Sequence, residues 1–304
     1  MGIQRIETAS YVVDDLDICI RFFTDLGLTP RARSERRAEF TTQTGQVVAL
    51  ALDPDPWLPP PVEDGPGIRE IVWGVDTAEE VGRIVSSVAA DREVTEVDGV
   101  FHTVDESGFG LGLTVASAVV PDTAPVRGNV SGHVVRWNEG IAAPPAQVRP
   151  LRICHVAWNI EKAGREEAVA FYTDRLGFRV TDLVKPMGAF MQAPGDDDQH
   201  TALLCWRPDR ASTNHTSYEV ASMDQVILGG NQMIAAGWQE ARRLGRHTVG
   251  SNFFRFVHNP AGGRVELAAD MDRVDDTYGP NVHEETPPHH LWTLEMNPSA
   301  RERP

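Results

Sequence analysis

Apolar positions along this chain alternate between two periods, and the alternation repeats. Leu16, Ile20 and Phe23 recur at helical spacing behind Asp14 or Asp15, either of which suits an N-cap, and Gly27 suits the left-handed stop. Strand-like runs follow over 39–42 and 47–52. A new strand over 68–75 then leads into Thr77 and Glu80 at capping-box spacing, with Val81, Ile84, Val85 and Val88 on one helical face. Further short strands are predicted over 94–97 and 111–115.

The second half repeats this order. Arg5-Ile6-Glu7-Thr8, followed by Phe22-Phe23-Thr24-Asp25-Leu26-Gly27, is echoed by Arg152-Ile153-Cys154-His155, followed by Phe171-Tyr172-Thr173-Asp174-Arg175-Leu176-Gly177. Ala168, Phe171 and Tyr172 are expected to face inward, and Gly177 to end the helix. Strands over 189–192 and 201–206 complete the third unit. The fourth begins with a strand over 216–221, has Ser222 and Gln225 as a capping box before Val226 and Met233, and closes with strands over 253–257 and 265–268. The chain therefore reads as strand, helix, three strands, four times, an α+β arrangement of βαβββ modules.

Domain organisation follows from the repeat. An N-terminal domain over 1–120 and a C-terminal domain over 150–271 are expected, joined by a Pro- and Gly-rich connection over 121–149 with one strand over 133–137. The polar, proline-broken tail over 272–304 is expected to pack on the surface or on a neighbouring subunit.

Composition narrows the partners. The chain has 304 residues, enough for about two domains with their own cores. Twenty-eight basic against 44 acidic residues give a formal charge of −16, which repels phosphate backbones and argues against nucleic-acid binding. A local arginine or lysine can still override that field at close range for a small anion. No membrane span and no export signal are expected, which places the protein in the cytoplasm. Cys19, Cys154 and Cys205 cannot all pair and read as small buried thiols.

Candidate chemistry lies at corresponding places of the modules. His155, His215 and Glu266 fit one ligand per module or module end, and two imidazoles with one carboxylate leave positions open on a divalent metal such as Fe(II). The first half is an internal control. Thr8 stands where His155 does, Glu70 or Ile71 near the place of His215, and Gly112 where Glu266 does, so the N-terminal domain has lost the triad.

From about Ile3 to Met271 this arrangement resembles the vicinal oxygen chelate superfamily, and within it the two-domain type I extradiol ring-cleavage dioxygenases. The resemblance rests on Ile-Cys-His-Val-Ala-Trp around His155, Asn-His-Thr-Ser-Tyr-Glu-Val around His215 and Gly-Gly-Arg-Val-Glu-Leu-Ala around Glu266. It implies that paired modules curl into funnels and that the C-terminal funnel holds Fe(II), with Mn(II) as the alternative. It further implies that the substrates are an aromatic diol and O2, and that the chain forms a homo-oligomer. His200 matches the family's acid/base histidine, and His247 a pocket histidine that binds the substrate oxygen. At Phe256 the family usually carries a tyrosine, and His258 or Tyr218 are the candidates to compensate. Phe190, Met191, Trp206, Phe253 and Phe254 alternate along strands, so some are expected to wall an aromatic pocket. His283, His289 and His290 are read as part of a lid or of a solvent-exposed segment. Two other readings of the same fold are a metal enzyme of diverged reaction (hydroquinone-type or biosynthetic oxygenase, isomerase or lyase) and a ligand-binding protein without metal chemistry.

Overall fold

A computed structural model of the chain describes residues 2–117, 128–141 and 143–294. Two sheets organise them. The first contains β1 (Ile3–Val13), β2 (Thr29–Arg33), β3 (Arg37–Thr41), β4 (Val47–Leu52), β5 (Gly67–Val75), β6 (Thr95–Val97), β7 (Val100–Val104) and β8 (Gly110–Val115), in the order β2-β3-β4-β1-β5-β8-β7-β6. The second contains β9 (Arg152–Glu161), β10 (Arg179–Val184), β11 (Gly188–Gln192), β12 (Ala202–Arg207), β13 (Ser212–Glu219), β14 (Glu240–His247), β15 (Phe253–His258) and β16 (Arg264–Ala269). Their order, β10-β11-β12-β9-β13-β16-β15-β14, is the same permutation. In each sheet the first strands of two modules pair antiparallel at the centre, and each pairs parallel with the last strand of its own module.

The helices are set by the signals in the sequence. Asp15 caps α1 (Leu16–Asp25) by accepting from the Ile18 amide, and Thr77 and Ser222 cap α2 (Ala78–Val88) and α4 (Met223–Ala235) in the same way. The third module departs from the regular pattern: α3 (Arg165–Ala170) runs directly into a π-helical turn over Phe171–Arg175, yet Ala168, Phe171 and Tyr172 are buried as expected. Gly27 ends α1 at φ 98°, and a Cβ there would lie 2.1 Å from the Val148 carbonyl oxygen. Both positive φ and close approach exclude a side chain.

One continuous core spans both halves. Phe22 meets Trp238 edge-on at 5.0 Å, Trp73 meets Phe178 at 5.2 Å, and the Tyr11 hydroxyl lies 2.9 Å from Thr216 Oγ1. Gln46 holds the two first strands together, donating to the Ile6 and Ile153 carbonyls and accepting from the Ile153 amide.

One expectation needs correction. The strand over 133–137 does not form: beyond a single bridge between Val130 and His133, the Asn129 side chain accepts from the Val135 and Arg136 amides and takes the place of a strand partner. Residues 121–127 and 142 of the connection lie outside the described residues. The described part of the tail packs on the surface of its own chain, one of the two places expected for it. Its strands β17 (Asn281–His283) and β18 (His290–Thr293) pair with β10 and β14 and cover both edges of the second sheet. Among the described residues no helix is long and apolar enough to cross a membrane.

A buried carboxyl sits at the seam between the halves. Asp105 accepts from the Ser107 and Phe109 amides and from the Tyr172 hydroxyl at 3.0 Å, and burial pushes it up to about 6. A folded value above the unfolded one, about 3.9, means that the folded state binds this proton more tightly. Stability from Asp105 is therefore complete below about pH 4 and is lost as pH rises through about 6. Asp105→Asn is expected to flatten that part of the melting temperature versus pH curve; an unchanged slope would assign it to another group.

Candidate metal centre

Strand register decides which side chains meet. On β13, Ser217 lies opposite His155 of β9 on one side and opposite Glu266 of β16 on the other, while His215 stands two residues earlier on the same face. Two strand spacings of about 4.8 Å separate β9 from β16, and the short Ser217 side chain between them leaves room for the two longer ones to lean together. His155 Nε2 lies 3.1 Å from His215 Nε2 and 3.0 Å from Glu266 Oε2, and His215 Nε2 lies 3.6 Å from the same oxygen. Ligands at about 2.0–2.2 Å from one ion, on one face of an octahedron, stand about 3 Å apart. All three residues are buried.

The outward atoms fix the ring tautomers. Asn214 Oδ1 accepts from the Arg264 guanidinium, so the amide oxygen also faces His215 Nδ1 at 2.9 Å, and that nitrogen must carry the hydrogen. The Cys154 thiol donates to the Ser217 carbonyl and leaves its sulfur to accept from His155 Nδ1 at 3.7 Å. Both Nε2 atoms therefore present lone pairs toward Glu266 Oε2, a buried atom that receives no hydrogen bond. Burial opposes ionisation of Glu266, but positive charge at the positions of His155 and His247, whether a proton or a bound cation, outweighs it and holds its carboxyl well below the usual range. Burial likewise lowers His215. Three electron-pair donors facing one point, one of them an ionised carboxylate, fit a divalent cation.

His200 and His247 stand beside this cluster, as the sequence predicts. The His200 ring centre is 4.4 Å from that of His155, and burial, followed by the charge of His155, pushes its pKa well down. Asp182 accepts from Gln199 Nε2 at 2.7 Å, which turns Gln199 Oε1 toward His200 Nδ1 at 2.6 Å. A carboxylate cannot donate, so His200 Nδ1 carries the hydrogen and Nε2 is left basic. Asp182 in turn is held by His283 at 2.7 Å and by the Tyr278 hydroxyl at 3.2 Å, both from the tail. His247 stacks on Phe254 at 4.1 Å, with Nδ1 3.3 Å from the His289 carbonyl oxygen and Nε2 3.4 Å from Glu266 Oε1. Asn252 Nδ2 donates to the same carboxylate oxygen.

A cavity of about 160 Å³ opens over these groups. Phe190, Leu203, Val249 and Phe256 wall it, and Pro287, Pro288 and His289 of the tail line it as a lid. Of the aromatic candidates, Phe190 alone lines it besides Phe256; Met191 and Trp206 belong to the core, and Phe253 packs on Trp292. Phe256 is buried, its ring centre 5.2 Å from that of His215. Neither proposed substitute for a tyrosine there reaches the cavity: His258 is exposed at the end of its strand, and Tyr218 points into the core. The acidic run Asp196-Asp197-Asp198 is neutralised by Arg152 and Arg273.

Sequence reasoning missed Gln199, Asn214 and Asn252, and it missed Arg207, Arg242 and Arg264, which also line the cavity. An amide immediately before a candidate histidine, as at Gln199 and Asn214, was the available signal. Nothing in the sequence separates these arginines from solvated ones.

The first half shows the same positions without the chemistry. Register identifies Glu70, rather than Ile71, as the counterpart of His215, and Val72 as that of Ser217, between Thr8 and Gly112. Val72 fills the space: a Cβ on Gly112 would lie 2.8 Å from Val72 Cγ2. Glu70 pairs with His102, the counterpart of Phe256, at 2.7 Å.

Comparison with known proteins finds similar sequences and similar folds. The model of the glyoxalase/bleomycin resistance protein/dioxygenase superfamily matches residues 162–267. Metapyrocatechase 2 of Cupriavidus necator is 32% identical over 184 residues, 56% of this chain and 55% of the relative, so the chain spans about half the length of that curated protein. Among solved structures, the Mn(II)-bound glyoxalase of Novosphingobium aromaticivorans matches with a TM-score of 0.73 at 24% identity, over 94% of this chain and 89% of that one. The 2,3-dioxygenase LapB of Pseudomonas sp. KL28 matches with a TM-score of 0.74 at 19% identity, over 93% and 98%. The superfamily model is seated on the half that holds the histidines, and the four modules in two identically ordered sheets have the fold of these solved structures.

Proposed function

We propose that the protein is an extradiol ring-cleavage dioxygenase, an oxidoreductase that opens a catecholic ring with O2 at a mononuclear Fe(II) centre held by His155, His215 and Glu266, with Mn(II) as the alternative ion. The observation that carries this reading is the meeting of three buried electron-pair donors at one point beneath an aromatic-sized cavity. An engineered cavity of about 150 Å³ holds benzene. The printed names of the relatives, a metapyrocatechase and a 2,3-dioxygenase, support it. In this reading the domain over 150–271 is catalytic, the domain over 1–120 carries no metal, and 121–149 and 272–304 are connection and tail. Three buried free thiols suit the reducing cytoplasm, and exposed Leu291 and Trp292 on the edge strand suit a homo-oligomer.

An ion held by His155, His215 and Glu266 would supply Lewis acidity to the diol oxygens and to O2. His200, neutral by burial and with Nε2 free, takes a catechol hydroxyl proton and later returns it to the product. His247 orients the substrate oxygen. Phe190, Leu203, Val249 and the tail prolines keep water out, so that both atoms of O2 enter the opened ring and no reduced oxygen escapes.

A second reading keeps the metal and drops O2, as in an isomerase or lyase. Phe256, which brings no hydroxyl to the site, and the Mn(II)-bound glyoxalase neighbour favour it. Oxygen uptake separates the two. The first expects one O2 consumed for each catechol, with a ring-opened product; conversion without uptake rejects it.

Two variants test the residue roles. Asn214→Ala frees His215 Nδ1 and is expected to weaken metal binding by about 10–100-fold, measured by metal titration; unchanged affinity would remove the anchoring role. His200→Ala is expected to keep the metal and lower kcat by about 10²–10⁴-fold. Loss of metal instead would make His200 a ligand rather than a base.

A further inference from the structure

The cavity wall away from the proposed metal ligands is cationic. Arg207, Arg242 and Arg264 line it from β12, β14 and β16, and all three are only partly exposed. Among the described residues none of them meets a carboxylate. Arg207 donates to the Trp206 carbonyl at 2.8 Å and Arg264 to Asn214, and among the described residues the Arg242 side chain makes neither a hydrogen bond nor an ion pair. Its one described partner is a ring face: the guanidinium carbons of Arg242 and Arg264 each lie 5.3 Å from the centre of Phe256.

Charge makes this arrangement unusual. The chain carries 44 acidic residues against 28 basic ones, and many of its other arginines find acidic partners, as Arg37 does with Asp55 and Arg255 with Glu240. Among the described residues the only acidic one lining the cavity is Glu266, which faces the histidines. Three guanidinium groups around a space partly shielded from water repel one another unless an anion joins them, and their planar forks match a carboxylate bidentately.

Their position relative to the histidines sets the ligand's shape. Phe256 contacts both groups: its ring centre is 5.2 Å from that of His215 and 5.3 Å from each guanidinium carbon. A benzene ring with its diol at the histidines would carry a short substituent toward the arginines.

We propose that the cavity is built for an aromatic diol bearing a carboxylate substituent, with Arg207, Arg242 and Arg264 as its anion-binding wall. The proposal rests on the extradiol reading for the diol, while the anion wall stands on the arginines alone. The position that carries a tyrosine in the resembling enzymes is here an aromatic face that two of these cations share.

Two measurements test it separately from the chemistry. Phenylacetate, which has the carboxylate and no diol, is expected to bind the purified protein by calorimetry at least about tenfold more tightly than phenylacetamide. Arg242→Met and Arg207→Met are each expected to erase that ratio, with circular dichroism confirming the fold. Equal binding of acid and amide, or a preference that survives both substitutions, overturns the proposal whatever the enzyme does with oxygen. With the metal-loaded protein, a carboxylate-bearing catechol is expected to exceed its amide in kcat/KM by a similar factor. O2 uptake with both at equal kcat/KM overturns the anion wall and leaves the dioxygenase reading intact; preferential binding of the acid without uptake does the reverse.

Discussion

Everything at this site depends on bringing one carboxylate and two imidazoles together out of water. Burying an ionised carboxylate without a partner costs several kcal/mol, so Glu266 is tolerable only where positive charge and hydrogen-bond donors surround it. Backbone register supplies the positions, since His155 and Glu266 stand on either side of one small residue, Ser217. The outer atoms of each group are then tied down by Cys154, Asn214 and Asn252, which leaves the inner atoms aimed at a common point. Rotational freedom is removed before any ion arrives, and that preorganisation is what metal affinity and selectivity draw on.

The sister sheet shows how little is needed to lose such a site. Its strands have the same order and equivalent registers, but Val72 occupies the space above Thr8 and Gly112, and Glu70 turns to His102. This half takes part in packing. Its aromatic side chains and Gln46 join the core of the other half and keep the central strands β1 and β9 together.

The tail completes what the modules leave open. Its strands cover both edges of the second sheet, where unpaired backbone groups would invite association. Between them Pro287, Pro288 and His289 roof the cavity, while Tyr278 and His283 hold Asp182, which orients Gln199 and through it His200. A chain whose net field is strongly negative therefore encloses a small cationic chamber, possible because short-range charges inside a shielded cavity outweigh a screened surface.

The sequence by itself determined the four modules, three helix caps and the candidate ligands, because hydrophobic period, capping chemistry and internal repetition are local properties. Thr77 with Glu80, Ser222 with Gln225, and the paired Phe-Thr-Asp-Leu-Gly and Phe-Tyr-Thr-Asp-Arg-Leu-Gly runs carry that information within a few residues of themselves. The comparison of Thr8 and Gly112 with His155 and Glu266 was likewise legible in the linear order. Only the tertiary structure decided that Glu70 is the counterpart of His215, since a one-residue difference in register reverses the face. It also decided where the tail lies, and that arginines from three different strands share one wall. Those facts depend on pairing between segments far apart in the chain, and a single strand carries no record of the neighbour it will meet.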